Sequence, residues 1–276
     1  MSFLDQCTAL ITGASSGLGM EFARQLAPRA STLILVARRA DRLEALRREL
    51  DRPGLTIHCR ETDLADDAQL DDLVGWLVDT GIPVNFLVNN AGLGDHGSFA
   101  SSDWERVRQM LGVNIGALTK LTHGVLPILR TQSRAAILNV SSVAGFIPIP
   151  KMAVYAASKA YVTSFTEALR AELRESAIRV TTLCPGPVST EFGSVASRES
   201  EPDPARAPQV LKIPAQKVVA KALRAVEHDR ARVIPGLLVG FVMLLTAMLP
   251  MFIMRLVMGM QARRTPMGEP DLLGSK

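Results

Sequence analysis

A tyrosine and a lysine four positions apart, Tyr155 and Lys159, are the side chains whose types and spacing best suit chemistry, and Ser142 lies thirteen positions upstream. Residues i and i+4 share one face of a helix, so the ammonium can lie beside the phenol. A neighbouring ammonium lowers the pKa of a phenol, which makes tyrosine a usable proton donor or acceptor. A serine hydroxyl nearby can polarise a carbonyl oxygen. The competing interpretation of the pair alone is an ordinary surface helix.

A glycine-rich stretch near the start of the chain has the composition of a phosphate-binding turn. Residues 7–11 form a short apolar run, residues 12–19 read TGASSGLG, and Phe22, Ala23 and Leu26 recur at helical spacing. This order predicts a strand, a tight turn and a helix whose N-terminus can bind a pyrophosphate. The spacing Gly-x3-Gly-x-Gly differs from the standard dinucleotide fingerprint, so a plain tight turn is the alternative.

Two arginines, Arg38 and Arg39, follow a second apolar run at residues 32–37. An NAD-binding fold usually carries an acidic residue here, which binds the ribose 2′-hydroxyl. Guanidinium groups instead suit a 2′-phosphate, which they bind through charge-assisted hydrogen bonds. The pattern therefore predicts NADP(H) rather than NAD. The alternative is a solvated basic start of a helix, since Asp41 and Arg42 continue the charged pattern.

The elements that must position these residues alternate along the chain as apolar runs and amphipathic helical stretches. The strand candidates are residues 7–11, 32–37, 55–59, 84–88, 135–140, 178–183 and 231–234. This alternation predicts an α/β fold, a doubly wound parallel sheet (Rossmann fold) with helices on both faces. We expect one catalytic domain at 1–235 and an apolar helical extension at 236–276. In such a sheet the site lies at the carboxyl ends of the strands.

Together these motifs resemble those of the short-chain dehydrogenase/reductases of the classical type. The resemblance covers residues 5–235 and rests on motifs in the family's order: TGASSGLG at 12–19, Asn89-Asn90-Ala91-Gly92, Asn114, Ser142, Tyr155-x-x-x-Lys159, and Pro185-Gly186 with Thr190 beyond. It implies that Tyr155 protonates a carbonyl oxygen or deprotonates an alcohol. Lys159 would lower the pKa of Tyr155 and bind the nicotinamide ribose. Ser142 would orient the substrate oxygen, and Asn114 would help to hold a water that relays protons to Lys159.

The resemblance also implies which residues bind the cofactor, NADP(H). Ser15 would join Arg38 around the 2′-phosphate, Asp63 would lie near the adenine, and residues 185–190 would contact the nicotinamide end. The implied cofactor-binding residues are Gly13, Ser15, Ser16, Gly17, Leu18, Gly19, Arg38, Arg39, Asp63, Asn90, Ala91, Gly92, Tyr155, Lys159, Pro185, Gly186, Val188 and Thr190.

The C-terminal segment is unusually apolar. Residues 236–254 contain no charged side chain, and Pro250 interrupts the run. Three interpretations compete: a membrane-spanning anchor, helices on a membrane surface through 236–264, or a helical hairpin against a partner subunit or over the substrate cleft. With the apolar loop at 145–152, this segment favours a lipophilic carbonyl or alcohol substrate.

Several other segments lead to further expectations. The proline-rich stretch at 191–213 predicts either a lid that closes over substrate or a surface excursion. His96, in a loop that borders the predicted site, is expected at the surface. The histidines lack ligand spacing, so we expect no metal site. The cysteines Cys7, Cys59 and Cys184 form no CxxC pair and are expected to be small buried residues.

The sequence as a whole predicts an NADP(H)-dependent oxidoreductase that interconverts a lipophilic ketone and a secondary alcohol. The alternatives are an NAD-linked alcohol dehydrogenase of small polar substrates and a non-catalytic NADP(H)-sensing protein. The first residues lack the features of a signal peptide, so we expect a cytoplasmic location, with peripheral membrane association as the further expectation. A net charge of +4 gives little support for nucleic-acid binding. From the family we expect a homodimer or homotetramer.

Overall fold

Seven strands form where the sequence has short runs of apolar and β-branched side chains. The computed structural model describes residues 2–198, 212–236, 239–241, 243, 245 and 252–255. The strands are β1 (Thr8–Thr12), β2 (Thr32–Ala37), β3 (Thr56–Glu61), β4 (Phe86–Asn89), β5 (Ala135–Val140), β6 (Ile178–Leu183) and β7 (Arg232–Val233). All seven predicted strands are confirmed, with ends that differ by at most two residues.

These strands form one sheet in the order β3-β2-β1-β4-β5-β6-β7. All the pairings between these strands are parallel, and in the centre Ile11 lies between Leu35 of β2 and Val88 of β4. The strand order reverses between β1 and β4, and in doubly wound sheets ligands bind in the crevice at this point. The predicted Rossmann fold is therefore confirmed.

Helices cover both faces of the sheet. Those described are α1 (Gly17–Leu26), α2 (Ala40–Leu50), α3 (Asp67–Thr80), α4 (Trp104–Leu111), α5 (Leu118–Arg130), α6 (Ala153–Glu172), α7 (Phe192–Ala196) and α8 (Ala215–Glu227). On one face α1 and α8 bury side chains such as Phe22 and Val219. On the other face α3 and α5 bury side chains such as Leu73 and Leu121. The core thus has two halves, separated by the sheet.

A chain of buried polar side chains fixes two helices to the centre of the sheet. Asn89 Nδ2 on β4 donates to Thr122 Oγ1 of α5 and to Asn139 Oδ1 of β5, both at 2.9 Å. Asn139 Nδ2 in turn donates to Thr166 Oγ1 of α6, also at 2.9 Å. Because buried polar groups are costly unless they are paired, this network specifies how α5 and α6 sit under the carboxyl edge.

The C-terminal segment lies largely outside the described residues. In its described part, Gly240 N donates to the carbonyl oxygen of Gly236 at 2.9 Å. Within the portions of the chain that the structure describes, no helix has both the length and the apolar character to cross a bilayer. The domain boundary after residue 235 and the membrane-surface contact through 236–264 stay predictions. Residues 199–211 of the predicted lid also lie outside the described residues.

Candidate active site

The predicted site residues converge at the carboxyl edge of the sheet. The glycine turn follows β1, Asn90 follows β4, and Ser142 and Pro185 come two residues after β5 and β6. Helix α6 then brings Tyr155 and Lys159 to the end of β5. The residues meet because the strands are parallel and all of them end at this edge.

The turn after β1 allows an unusually close approach of backbone groups. Gly13 has a φ of +66°, in the region that favours glycine, and a Cβ on it would lie 2.9 Å from Asn90 Nδ2. A Cβ on Gly19 would overlap the carbonyl oxygen of Gly13. The Thr12 hydroxyl accepts hydrogen bonds from the N–H groups of Asn90 and Ala91, both at 3.0 Å. The turn is thereby tied to the end of β4.

This turn leads directly into α1, whose N-cap is Ser16. Gly17 has a φ of +54°, and Leu18 packs against the core below. Unpaired N–H groups at a helix N-terminus, beside backbone that only glycine allows, suit the pyrophosphate of a dinucleotide. The residues present therefore fit a nicotinamide dinucleotide.

Asn114 holds the loop after β4 against α6. It lies in a π-helical turn, Gly112–Ala117, a feature that is frequent at functional sites. Asn114 Oδ1 accepts from Leu93 N at 2.8 Å, while Nδ2 donates to Leu93 O and Ser158 Oγ at 2.9 Å each. A Cβ on Gly92 would lie 3.4 Å from Asn114 Oδ1, so glycine leaves room for these contacts. The expected water relay through Asn114 stays a prediction.

Tyr155 and Ser142 meet near the start of α6. Ser142 caps a short 3₁₀ turn, and its Oγ accepts from Ala144 N at 3.1 Å. Burial raises the pKa of Tyr155 to about 12, although a hydrogen bond with the Ser142 side chain opposes the shift. At neutral pH the phenol therefore keeps its proton.

Lys159 lies one turn further along α6 and is also buried. Its Nζ donates to Val140 O at 2.9 Å and lies 5.9 Å from the centroid of the Tyr155 ring. Burial lowers the pKa of Lys159 to about 8. The expected lowering of the Tyr155 pKa by Lys159 is not observed, because burial dominates for both groups and the ammonium bonds a strand carbonyl.

The surroundings of Tyr155 are apolar. Its ring lies 5.6 Å from the ring of Phe192 of α7, at an interplanar angle of 47°. Tyr155 forms a buried cluster with Met110 and Ala144, and the residues that pack against this cluster are Leu93, Ile149, Met152 and Val154. Sequence reasoning missed Phe192, and only its position shortly after Thr190 would have drawn attention to it.

The two arginines after β2 diverge. Arg39 Nε and Nη2 each lie 3.2 Å from Ser15 Oγ, whereas Arg38 Nη1 lies 3.9 Å from Asp63 Oδ2. The two side chains diverge because successive residues at the end of a strand point in different directions. Ser15 contacts Arg39 in the structure, and the expected joint contact of Ser15 and Arg38 with a 2′-phosphate stays a prediction.

The segment after β6 crosses the carboxyl edge towards the glycine turn. Pro185 O accepts from Val143 N at 3.1 Å, and Val188 forms a parallel bridge with Ile213. Thr190 lies 3.4 Å from the position of a Cβ on Gly17. In the same segment, a Cβ on Gly186 would lie 3.3 Å from Val239 Cγ1. The described start of the C-terminal segment thus reaches the predicted nicotinamide end.

A largely buried ion pair links the residues just after α7 to the loop after β4. Arg198 Nε donates to Asp95 Oδ1 at 3.0 Å, and His96 N donates to Ala196 O at 2.9 Å. His96 is therefore buried rather than exposed, because α7 covers its loop. Cys7 and Cys184 are buried as expected, whereas Cys59 is only partly buried. Across the described residues, no cluster of three or more His, Cys, Asp or Glu side chains is arranged to hold a metal ion.

The fold and the site together define an oxidoreductase of the nucleotide-binding α/β class. The chain matches the family profile described as short chain dehydrogenase over residues 7–201. It belongs to the short-chain dehydrogenase family, so the resemblance is confirmed. The family uses nicotinamide cofactors, as its solved members in complex with NADPH and NAD illustrate.

Three known proteins show the extent of the similarity. The chain is 40% identical over 188 residues to sulfoacetaldehyde reductase 2 of Chromohalobacter salexigens, which is 66% of this chain and 73% of that protein. A short-chain dehydrogenase of Sphingobium yanoikuyae in complex with NADPH superposes with a TM-score of 0.74 at 29% identity, covering 97% and 99% of the two chains. A short-chain dehydrogenase/reductase of Burkholderia phymatum in complex with NAD gives 0.76 at 26% identity, covering 99% and 100%.

Proposed function

We propose that this protein is an NADP(H)-dependent oxidoreductase that interconverts a lipophilic ketone and a secondary alcohol. The observation that carries the proposal is the buried set of Ser142, Tyr155 and Lys159 beside a glycine turn that fits a dinucleotide. Asn114 completes the proposed catalytic set by holding the adjoining loop.

In the direction of reduction, Ser142 donates a hydrogen bond to the carbonyl oxygen, and Tyr155 gives that oxygen its proton. When bound, the nicotinamide would supply the hydride for the carbonyl carbon. Burial keeps the pKa of Tyr155 at about 12, so the phenol holds the proton that a donor needs. Lys159, whose pKa burial lowers to about 8, can return a proton to the tyrosine near neutral pH. Oxidation uses the same groups in reverse.

A lipophilic substrate is supported by the residues around the phenol. Phe192 contacts the Tyr155 ring, and Ile149 and Met152 pack against the buried cluster to which Tyr155 belongs. The apolar character of these side chains stabilises apolar substrate groups by removing them from water. Methionine adds a surface that adapts to different shapes.

The preference for NADP(H) is supported by the residues that follow β2. Arg39 donates a hydrogen bond to Ser15 in the glycine turn, and Arg38 forms an ion pair with Asp63. Two guanidinium groups at this position favour a 2′-phosphate, and the acidic residue typical of NAD-binding folds is missing from the end of β2.

The second candidate is a reductase or dehydrogenase of small polar substrates. It is favoured by the 40% identity with a sulfoacetaldehyde reductase, whose named substrate is small and anionic. The apolar contacts of Tyr155 argue against it, because the anionic group of such a substrate needs a cationic or polar partner close to the reacting carbonyl.

The proposal is tested by comparing wild type with Tyr155→Phe. We expect wild type to reduce bulky apolar ketones with NADPH and to bind NADPH more tightly than NADH. Tyr155→Phe removes the proton donor and should lower kcat by about 10²- to 10⁴-fold, while the dissociation constant for NADPH changes little. Tyr161→Phe, on the exposed side of the same helix, is the matched control.

Each alternative predicts a different outcome of this comparison. Equal turnover in wild type and Tyr155→Phe would contradict the assignment of Tyr155. Binding of NADPH without turnover of any carbonyl in wild type would favour the sensing protein. A preference for small anionic aldehydes over apolar ketones would favour the second candidate.

A further inference from the structure

The carboxylate of Glu191 contacts two arginines at the start of α2, Arg39 and Arg42. Glu191, the residue before α7, has Oε1 and Oε2 at 3.1 Å and 2.9 Å from Arg42 Nη1. Its Oε2 also lies 3.5 Å from Arg39 Nη1. Arg39 in turn holds Ser15 Oγ at the glycine turn. Two guanidinium groups therefore contact one carboxylate, and one of these groups also contacts a hydroxyl of the glycine turn.

Arg39 and Arg42 supply the positive charges that a phosphate monoester would need. The hydrogen bond and the charge of Arg42 hold the pKa of Glu191 below its usual range, so this carboxylate is ionised at neutral pH. Guanidinium donors that bind a carboxylate bind a phosphate with the same geometry. The carboxylate of Glu191 and a 2′-phosphate therefore require the same donors. Sequence reasoning treated Arg42 only as part of a charged face, although its spacing of three residues from Arg39 on a helix was a usable signal.

The neighbours of Glu191 connect this position to the catalytic tyrosine. Thr190 packs beside Gly17 of the glycine turn, and Phe192 contacts the ring of Tyr155. Three consecutive residues thus touch the glycine turn, the arginines and the phenol. A displacement of the Glu191 backbone would also move its covalent neighbour Phe192, because the two share a peptide unit.

We propose that Glu191 competes with the 2′-phosphate of the cofactor for Arg39 and Arg42, and that binding of the phosphate releases residues 190–192 and moves Phe192 relative to Tyr155. This inference rests on the proposed function, in which the cofactor is NADP(H). It makes Glu191 and Arg42 residues that determine cofactor specificity.

The size of the expected effect follows from the exposure of the pair. The side chains of Arg42 and Glu191 are 40% and 53% exposed, so solvent screens their attraction. Losing one exposed ion pair of this kind changes a dissociation constant by about two- to fivefold. The loss of the carboxylate should therefore tighten binding of a 2′-phosphate by that factor.

The first experiment measures binding of nucleotide fragments that lack nicotinamide. Calorimetry gives the dissociation constants of 2′-phospho-ADP-ribose and ADP-ribose for wild type, Glu191→Gln and Glu44→Gln. We expect Glu191→Gln to bind 2′-phospho-ADP-ribose about two- to fivefold more tightly and ADP-ribose unchanged. Glu44→Gln is the matched control, since Glu44 pairs with Arg47 and Arg48 further along α2.

The second experiment measures amide hydrogen exchange of residues 190–197. In wild type, 2′-phospho-ADP-ribose should speed exchange in this segment relative to ADP-ribose, because it competes with Glu191 for Arg39 and Arg42. In Glu191→Gln the segment should exchange faster without any ligand, and the two ligands should then act alike. Identical exchange with both ligands in wild type would overturn the proposed release.

The outcomes separate this inference from the proposed function. If wild type prefers 2′-phospho-ADP-ribose, Arg39→Ala abolishes that preference and Glu191→Gln changes neither affinity, the competition is wrong and the NADP(H) assignment stands. If wild type binds both fragments equally and Arg39→Ala changes nothing, the NADP(H) assignment itself is wrong.

Discussion

Lys159 is an ammonium group in a buried position, and its protonation is linked to folding. Burial lowers its pKa to about 8 in the folded protein, against 10.5 for an unperturbed lysine side chain. Below about pH 8 both states carry the proton, so the folded state bears the full cost of burying the charge. Between these two values the unfolded state binds more protons, and stability rises with pH. Tyr155 acts in the opposite sense, since stability falls as pH rises from 10.0 towards about 12.

We therefore predict that Lys159→Met removes a rise in stability at alkaline pH. In wild type the free energy of unfolding should gain up to about 3 kcal/mol, relative to the variant, between about pH 7 and about pH 10. Urea denaturation across this range measures the difference. Lys217→Met, an exposed lysine of α8, should keep the wild-type slope. Parallel curves for wild type and Lys159→Met would show that the burial of Lys159 is not linked to stability.

At the scale of elements, α7 depends on contacts with distant parts of the chain. It has five residues, too few to be stable as an isolated helix. Arg106 Nη2 donates to Val195 O at 2.8 Å, and Arg106 Nε lies 2.9 Å from Asp95 Oδ1. Burial alone would raise the pKa of Asp95, but hydrogen bonds and charge from Arg198, with help from Arg106, hold it below its usual range. Asp95 thus anchors the C-terminal end of α7 through both arginines.

We predict that Asp95→Asn loosens α7 without unfolding the protein. Loss of hydrogen bonds to charged groups should raise the opening equilibrium of residues 192–197 by about 10- to 100-fold. Amide hydrogen exchange measures this change, and KM for a ketone should rise more than kcat falls. Asp229→Asn, which removes the partner of Arg170 elsewhere, should leave exchange in α7 unchanged. Unaltered exchange in Asp95→Asn would contradict the anchoring role.

At the scale of the whole molecule, the outer side of α6 carries an aromatic surface. Tyr161 and Phe165 stack at 5.9 Å with an interplanar angle of 7°, and Tyr161 OH lies 2.9 Å from Thr119 Oγ1 of α5. The catalytic face of α6 is turned inward, so this outer face is available for a second copy of the chain. Aromatic side chains at such positions commonly anchor interfaces.

We predict that the protein is a homodimer or homotetramer that associates through this face of α5 and α6. Tyr161→Glu should lower the sedimenting mass in analytical ultracentrifugation, because it places a charge in an apolar contact. Val78→Glu, at an exposed apolar position of α3, should leave the mass unchanged. A monomeric wild type, or equal behaviour of the two variants, would rule out this interface.

The sequence by itself determined the features that depend on neighbouring residues. Apolar runs located the inner strands, because a parallel strand buried on both faces needs a continuous apolar stretch. Shorter β-prone runs located the partly exposed edge strands β3 and β7. The glycines of residues 12–19 predicted the turn, since backbone conformation is a local property. The spacing of Tyr155 and Lys159 predicted a shared helical face for the same reason.

Only the tertiary structure decided the features that depend on distant parts of the chain. Glu191 and Arg42 are separated by 149 positions, and their contact exists because β2 and β6 end at the same edge of the sheet. The pKa of Tyr155 rises because several elements exclude water from it, which spacing along one helix does not reveal. Distant strands and helices share one small volume at the carboxyl edge, so the charge and solvent exposure of each group there depend on all of them.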